Sequence, residues 1–268
     1  MRIGFVTDEI SLDVEEAIRV GTAWRVRDYE LRMIGEDRIP NITEKQIYQI
    51  LQLQKNFGIH ITALSPGIFK STVREETQIK QELEEILPQT FQQAKILGAK
   101  VVIVFGFLKS ELEPAEHEEK VVEMFKLAAE SAWQHGLILA VENEPGFWCD
   151  NGQNTARILS KVNSPAFRAN WDPANTIGTD ETPYPHGYEN IKKWIANVHV
   201  KDTIKNTLVE CVPVGQGKVD WPGQLQALVQ DRVVDHVTIE THCLPLLEKF
   251  KNGARDFKDQ VKQISKSS

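Results

Sequence analysis

Eight short β-branched or apolar runs recur along the chain, each separated from the next by a longer segment of helical spacing. The runs span Ile3–Val6, Asp28–Leu31, Ile59–Leu64, Ala99–Phe107, Leu137–Glu142, Phe167–Asp172, Asn197–Lys201 and His236–Glu240. Between them, apolar residues fall on one helical stripe, as Val121, Met124, Phe125, Ala128 and Ala132 do. Thr43 ahead of Glu44 reads as a helix N-cap. Gly58, Gly98 and Gly136 each stand between a helical stretch and a strand, where a helix ends best on a residue that tolerates positive φ. Strand–helix alternation implies parallel strands joined by crossover helices. Eight units in 268 residues come to about 33 residues each, the size of one βαβ unit. Such units close into an α/β fold of the (β/α)8, or TIM, barrel type. The rival is an open doubly wound sheet, which carries a glycine-rich phosphate turn after its first strand. Here that turn is Thr7-Asp8-Glu9-Ile10-Ser11, without glycine. No linker or low-complexity tract divides the chain, so residues 1–268 are expected to form a single domain with a fraying tail at Gln263–Ser268.

Composition narrows the function. There are 31 basic and 38 acidic residues, a net charge of −7, and no run of Lys or Arg. That disfavours a nucleic-acid surface, whose affinity comes largely from neutralising phosphates. Three cysteines (Cys149, Cys211, Cys243) cannot pair fully and none sits in a CxxC, which fits a reducing compartment. The longest apolar run, Val101 to Leu108, is bounded by Lys100 and Lys109 and is far below the ~20 residues of a membrane span. The first residues meet Asp8 at once and lack a signal-peptide core. A cytoplasmic protein acting on a small molecule, with homo-oligomerisation left open, is the expectation.

In a barrel the chemistry lies at the C-terminal strand ends, and residues two apart share a face. Strand five ends with Glu142 and Glu144, strand six with Asn170 and Asp172, strand seven with His199 and Lys201, and strand eight with Glu240 and His242. Glu142, Asp172, His199 and Glu240 thus arrive in matching phase on four consecutive strands. Three carboxylates at one mouth repel one another and are costly to desolvate. A divalent cation relieves both problems. Oxygen and nitrogen ligands without thiolates suit Mn2+ first, with Mg2+, Co2+ or Zn2+ as alternatives.

These motifs give the chain a family resemblance. Tyr29-Glu-Leu-Arg32, Val141-Glu-Asn-Glu144, Trp171-Asp-Pro-Ala-Asn175, Asn197-Val-His-Val-Lys-Asp202, Val214-Gly-Gln-Gly217 with Val219-Asp-Trp221, and Ile239-Glu240 resemble the sugar phosphate isomerases/epimerases of the xylose isomerase-like barrel superfamily. That superfamily also contains the family 2 AP endonucleases. The resemblance implies one catalytic divalent metal held by Glu142, Asp172, His199 and Glu240, with Glu142 and Glu240 flanking the substrate as the acid/base pair. It departs from the ketose 3-epimerases at Asn175, Trp148 and Lys205, where they carry His, Glu and Arg. Those three positions imply different substrate contacts and no D-psicose or D-tagatose assignment. The endonuclease branch needs three metals and further histidines that this sequence lacks.

The implied chemistry is proton abstraction α to a carbonyl, through a metal-stabilised enediolate, on a sugar or sugar phosphate. Water loss from the same enediolate would make a dehydratase of the inosose or dehydroshikimate type. A nuclease and a non-catalytic sugar-binding barrel are the remaining alternatives. Around the four ligands, Lys201 is read either as a cation for substrate oxygens or as a salt bridge to Asp202 or Glu144. Glu144 is read as an orienting group, and Arg32 as a neutraliser of the acidic mouth or a substrate anchor. His242 is read as a loop residue. The Gly215-Gln-Gly217 turn is either a phosphate loop or a plain turn. Trp148, Trp171, Phe107 and Phe69 are either a sugar platform or packing, and Tyr184-Pro-His186 is a candidate lid.

Overall fold

The computed structural model describes residues 1–110, 114–205 and 210–243; the tail Gln263–Ser268 lies outside them. Eight strands, β1 (Arg2–Val6), β2 (Asp28–Leu31), β3 (His60–Leu64), β4 (Val101–Val104), β5 (Ile138–Glu142), β6 (Phe167–Trp171), β7 (Ile195–Val200) and β8 (His236–Ile239), pair in parallel. They close into one barrel, β8 returning to β1. This is the expected α/β barrel, with every expected strand present.

Local chemistry explains the helices between them. Thr43 caps the helix Glu44–Phe57 through a reciprocal box: the Gln46 amide donates to Thr43 Oγ1 and the Thr43 amide to Gln46 Oε1. Gly58, Gly98 and Gly136 end their helices in the left-handed region. In His117–His135 the buried face is Val121, Val122, Phe125, Ala128, Ala129 and Ala132, with Met124 packed at its margin. Helix Trp221–Asp231 carries Gln224, whose Oε1 accepts from Trp171 Nε1 at 2.9 Å.

The apolar core has two parts. The larger one fills the space between strands and helices. Phe69, Phe107, Phe125 and Phe167 stack there at centroid separations of 4.7–5.9 Å, so Phe69 and Phe107 are packing rather than a sugar platform. A small second cluster, Ala63, Val101, Ile103 and Ala140, lies apart from it. In the parallel register Glu142 stands beside Asn170, Asn170 beside Asn197, and His199 beside Thr238.

Two details differ from the sequence reading. Strand four stops at Val104, because the amides of Phe105 and Phe107 turn to the carbonyls of Ile68 and Phe69 in the loop after β3. Two hairpins were not expected: Met33–Ile34 with Asp37–Arg38 after β2, and Asp202–Thr203 with Cys211–Val212 after β7. Each strand in them is two residues long, below what a period-2 pattern can reveal. Among the described residues no helix is long and apolar enough to cross a membrane.

Candidate active site

Glu142 ends β5, Asp172 follows β6, His199 lies in β7 and Glu240 follows β8. Each is buried and offers one ligand atom, and those four atoms lie within 4.8 Å of one another. Nδ1 of His199 faces Glu240 Oε2 at 3.1 Å and Glu142 Oε1 at 3.4 Å.

Beneath the cluster is a polar network the sequence reading missed. Glu30 on β2 is fully buried and accepts from His199 Nε2 at 2.8 Å and from Asn197 Nδ2 at 2.7 Å. Asn197 Nδ2 also donates to Asn170 Oδ1 at 3.0 Å, and Asn170 Nδ2 meets His199 Nδ1 at 3.1 Å. With Nε2–H given to Glu30, Nδ1 is turned toward the carboxylates; a carboxylate behind an imidazole in this way fixes its tautomer and raises its basicity. A signal was present: Glu30 lies in β2 and Arg32 just past its end, two residues on, so both face the mouth.

Burial pushes the His199 imidazole down, but Glu240, Glu30 and Glu142 outweigh it and hold the ring well above its ordinary range. Burial opposes the charge on Glu240, yet His199, His242 and Arg32 keep its carboxyl well below the usual carboxylate value. Asp172 is pushed up, by burial first and then by Glu142, against the pull of Lys201.

Lys201 pairs with neither Asp202 nor Glu144. Its Nζ lies 2.7 Å from Asp172 Oδ2 and donates to Asn175 Oδ1 at 2.8 Å, because Lys201 and Asp172 both point inward from adjacent strands. Asn175 in turn donates to the Asn143 carbonyl at 2.8 Å and to Glu142 Oε1 at 3.4 Å. Arg32 bridges Asp8 (2.9 Å), Glu9 (3.2 Å) and Glu240, which is the neutralising arrangement. Glu144 faces Lys70 at 3.5 Å rather than the cluster, and burial and Glu142 both push its carboxyl up. His242 is in a loop but reaches the site, 3.5 Å from both Glu240 and Glu9.

A cavity of about 340 Å³ opens above the cluster. Its wall includes Glu142, Glu144, Asn175, Lys201, Glu240 and Arg32. It also includes Asp8, Arg38 and Lys70, which no long-strand phase marks, and His242, two residues beyond Glu240. Two expected substrate contacts fall elsewhere. Trp148 is 3% exposed and packs in the core with Lys109 above its ring. Lys205 is exposed between the two strands of the second hairpin and binds Glu210 at 2.7 Å, outside the wall of the cavity. The Gly215–Gly217 turn gives two of its amides to Asp202 Oδ2, so it is a turn folded on its own carboxylate. His186 is exposed, and Tyr184 packs beside Tyr188 away from the cavity.

The donor set fits a divalent ion: three buried carboxylates and an imidazole whose far nitrogen is already anchored, converging within one coordination sphere. Glu142, Asp172, His199 and Glu240 would hold it.

A sequence model described as xylose isomerase-like TIM barrel matches residues 25–264. No curated protein matches the sequence. Among solved structures, a D-tagatose 3-epimerase-like protein superposes with a TM-score of 0.80 at 17% identity, over 98% of this chain and 99% of that one. The probable 3-DHS dehydratase AsbF, involved in petrobactin synthesis, from Bacillus anthracis, gives 0.80 at 17% identity over 96% and 99%. The IOLI protein, in a structure with a binding zinc atom, gives 0.79 at 19% identity over 99% and 96%. At identities this low the likeness establishes the fold.

Proposed function

The chain belongs to the xylose isomerase-like TIM barrel family, and from that premise we propose that it is a divalent-metal-dependent isomerase or epimerase of a small sugar derivative, residues 1–268 acting as one domain. The observation that carries this reading is the buried Glu142, Asp172, His199 and Glu240 converging within 4.8 Å beneath a cavity of monosaccharide scale. The zinc atom in the IOLI structure and the D-tagatose 3-epimerase-like protein among the similar structures support it. Mn2+ is the proposed ion, for its match to hard oxygen donors and one imidazole. Bound there, it would supply charge stabilisation for the oxyanion that develops when a proton leaves the α-carbon.

The side chains take the remaining roles. Glu142 and Glu240 stand on strands on either side of His199 and act as the acid/base pair: one carboxylate oxygen accepts the α-proton and the other returns a proton. Return to the opposite face of the same carbon gives an epimer; return to the neighbouring carbon gives an isomer. Arg32 and His199 hold Glu240, and Asn175 holds Glu142, so both are positioned before substrate arrives. Lys201 orients Asp172 and Asn175, and Glu144 and Arg32 contribute the polar wall.

Metal analysis of the purified protein, followed by incubation in D2O with ketoses, sugar phosphates and inososes, tests this. Incorporation of deuterium at a carbon-bound position of one compound, dependent on Mn2+, is the expected result. An absorbing enone product would instead identify a dehydratase. Absence of metal binding in excess Mn2+ would refute the proposal.

A further inference from the structure

The cationic side chains around the cavity are matched to carboxylates, with one exception. Arg32 holds Asp8, Glu9 and Glu240; Lys201 holds Asp172; Lys70 holds Glu144. Arg38 lines the same cavity and has no carboxylate at ion-pair distance among the described residues. Among the described residues its guanidinium makes one protein hydrogen bond, from Nη1 to the Ser65 carbonyl at 3.3 Å, which leaves most of a five-donor fork for something else.

The guanidinium has a built seat. Gly67 lies under it with φ +76°, and a Cβ at that position would come within 2.6 Å of Arg38 Nη1. A side chain there would push the guanidinium off its present line. Arg38 is carried by the Asp37–Arg38 strand of the first hairpin, so its base is anchored by backbone pairing with Met33. Burial, and then the like charge of Arg32, make the cation less comfortable than in water, and Asp8 and Glu240 offset this only in part. The protein leaves this positive charge under-compensated within reach of the reacting centre.

We propose that Arg38 receives a carboxylate of the substrate, so that the molecule processed is a hydroxy-keto acid rather than a neutral ketose. This rests on the function proposed above and names its substrate class. A planar guanidinium pairs with a single carboxylate through two parallel hydrogen bonds. A phosphate calls for more donors, such as a glycine-rich turn or a helix N-terminus. The glycine turn after β7 has already given its amides to Asp202. Arg38 is also distinct from Arg32: the latter, saturated by three acids, holds the site together, and the former is the fork left for a ligand.

The test is calorimetric titration of the Mn2+-loaded protein with three matched probes: D-fructose, D-fructuronate and D-fructose 6-phosphate. Fructuronate is expected to bind about tenfold to a hundredfold more tightly than fructose, the range of a charge-assisted pair. Arg38→Gln should abolish that preference while binding Mn2+ and fructose as the wild type does. Arg38→Lys, which keeps the charge and loses the fork, should recover only part of it. Equal binding of fructose and fructuronate, no binding of fructuronate, or a preference that survives Arg38→Gln would overturn the proposal. An Arg38-dependent preference for fructose 6-phosphate over fructuronate would also overturn it, in favour of a phosphate. Deuterium incorporation measured on the same samples separates this inference from the reading beneath it. Arg38-dependent binding without exchange on any compound leaves the anchor standing and removes the isomerase. Mn2+-dependent exchange with no preference for the acid does the reverse.

Discussion

Replacing Glu30 by Gln tests whether the residue under the cluster aims His199. Glu30 accepts from His199 Nε2 at 2.8 Å and from Asn197 Nδ2 at 2.7 Å, fully buried. Glutamine keeps the shape but offers one oxygen and one NH2. If the oxygen stays on His199, the NH2 meets Asn197 Nδ2, donor against donor. If Asn197 flips to accept it, Asn197 Oδ1 then faces Asn170 Oδ1, to which Nδ2 now donates. Either way one buried bond to a charged acceptor is lost, about 1.5–3 kcal/mol. An error in ring orientation passes directly to Nδ1, so Mn2+ affinity should fall about tenfold to a hundredfold, the usual effect of losing the group behind a metal-binding imidazole. The opposing effect is relief of the imidazolium, since Glu30 helps hold the ring protonated. That benefit falls as pH rises through the folded value of the ring, so the orientational loss should dominate in alkaline solution. Calorimetric Mn2+ titration of wild type and Glu30→Gln at pH 8 measures the difference. Equal or tighter binding by the variant would show that Glu30 does not aim the ring.

Other consequences follow from the same contacts. Lys201→Met strips Asp172 of its cation in a fully buried position, so the metal-free protein should lose about 3–5 kcal/mol of stability and regain much of it in saturating Mn2+; urea melts with and without the ion decide this, and an unchanged metal-free midpoint refutes it. His199 is raised above its ordinary value, so its protonated form stabilises the metal-free fold fully below about pH 6.5, and that stabilisation is lost as pH climbs through the folded value. The metal-free Tm should therefore decline above pH 6.5, and Mn2+ uptake near neutrality should release about one proton, read by calorimetry in buffers of different ionisation enthalpy; zero release would contradict the assignment. Glu142→Gln and Glu240→Gln that still bind Mn2+ should each lose about 10²–10⁴ in deuterium exchange, and full exchange in either removes that residue from the acid/base pair.

The barrel was legible because its cause is periodic. Eight apolar runs alternating with helical stripes leave few ways to bury both faces of a parallel sheet, and the structure has all eight strands. The clustered three acids and imidazole were legible for the same reason: each sits at or near a strand end, and strand phase fixes which way it points. Legibility ended where position depends on loops. Nothing in the spacing of Asp8, Arg38 or Lys70 distinguishes a cavity residue from a solvated one, since two-residue hairpins and turns set their direction. Trp148 and Lys205 failed by the same route. Equal spacing from a strand end did not carry them to the cavity: one sits in the core and the other between the strands of a hairpin. Glu30 is intermediate: its strand phase turns it toward the mouth, but it sits one layer below the strand-end residues that carry the cluster.

The charges of the site imply that a bound metal would replace counter-ions rather than assemble its ligands. Without an ion, Glu240 already has Arg32 and His199, and Asp172 has Lys201. The carboxylates are therefore held near one another by cations of the chain itself. Arg32 binds Glu240 through Oε1, whereas His199 faces Oε2, so Oε2 can turn from an imidazolium to a metal without releasing Arg32. Lys201 differs: it lies 2.7 Å from Asp172 Oδ2 while Oδ1 accepts from the amides of Ala174 and Asn175. Both oxygens of Asp172 are thus engaged, and Lys201 would have to yield part of its hold on Oδ2 for Asp172 to serve as a metal ligand.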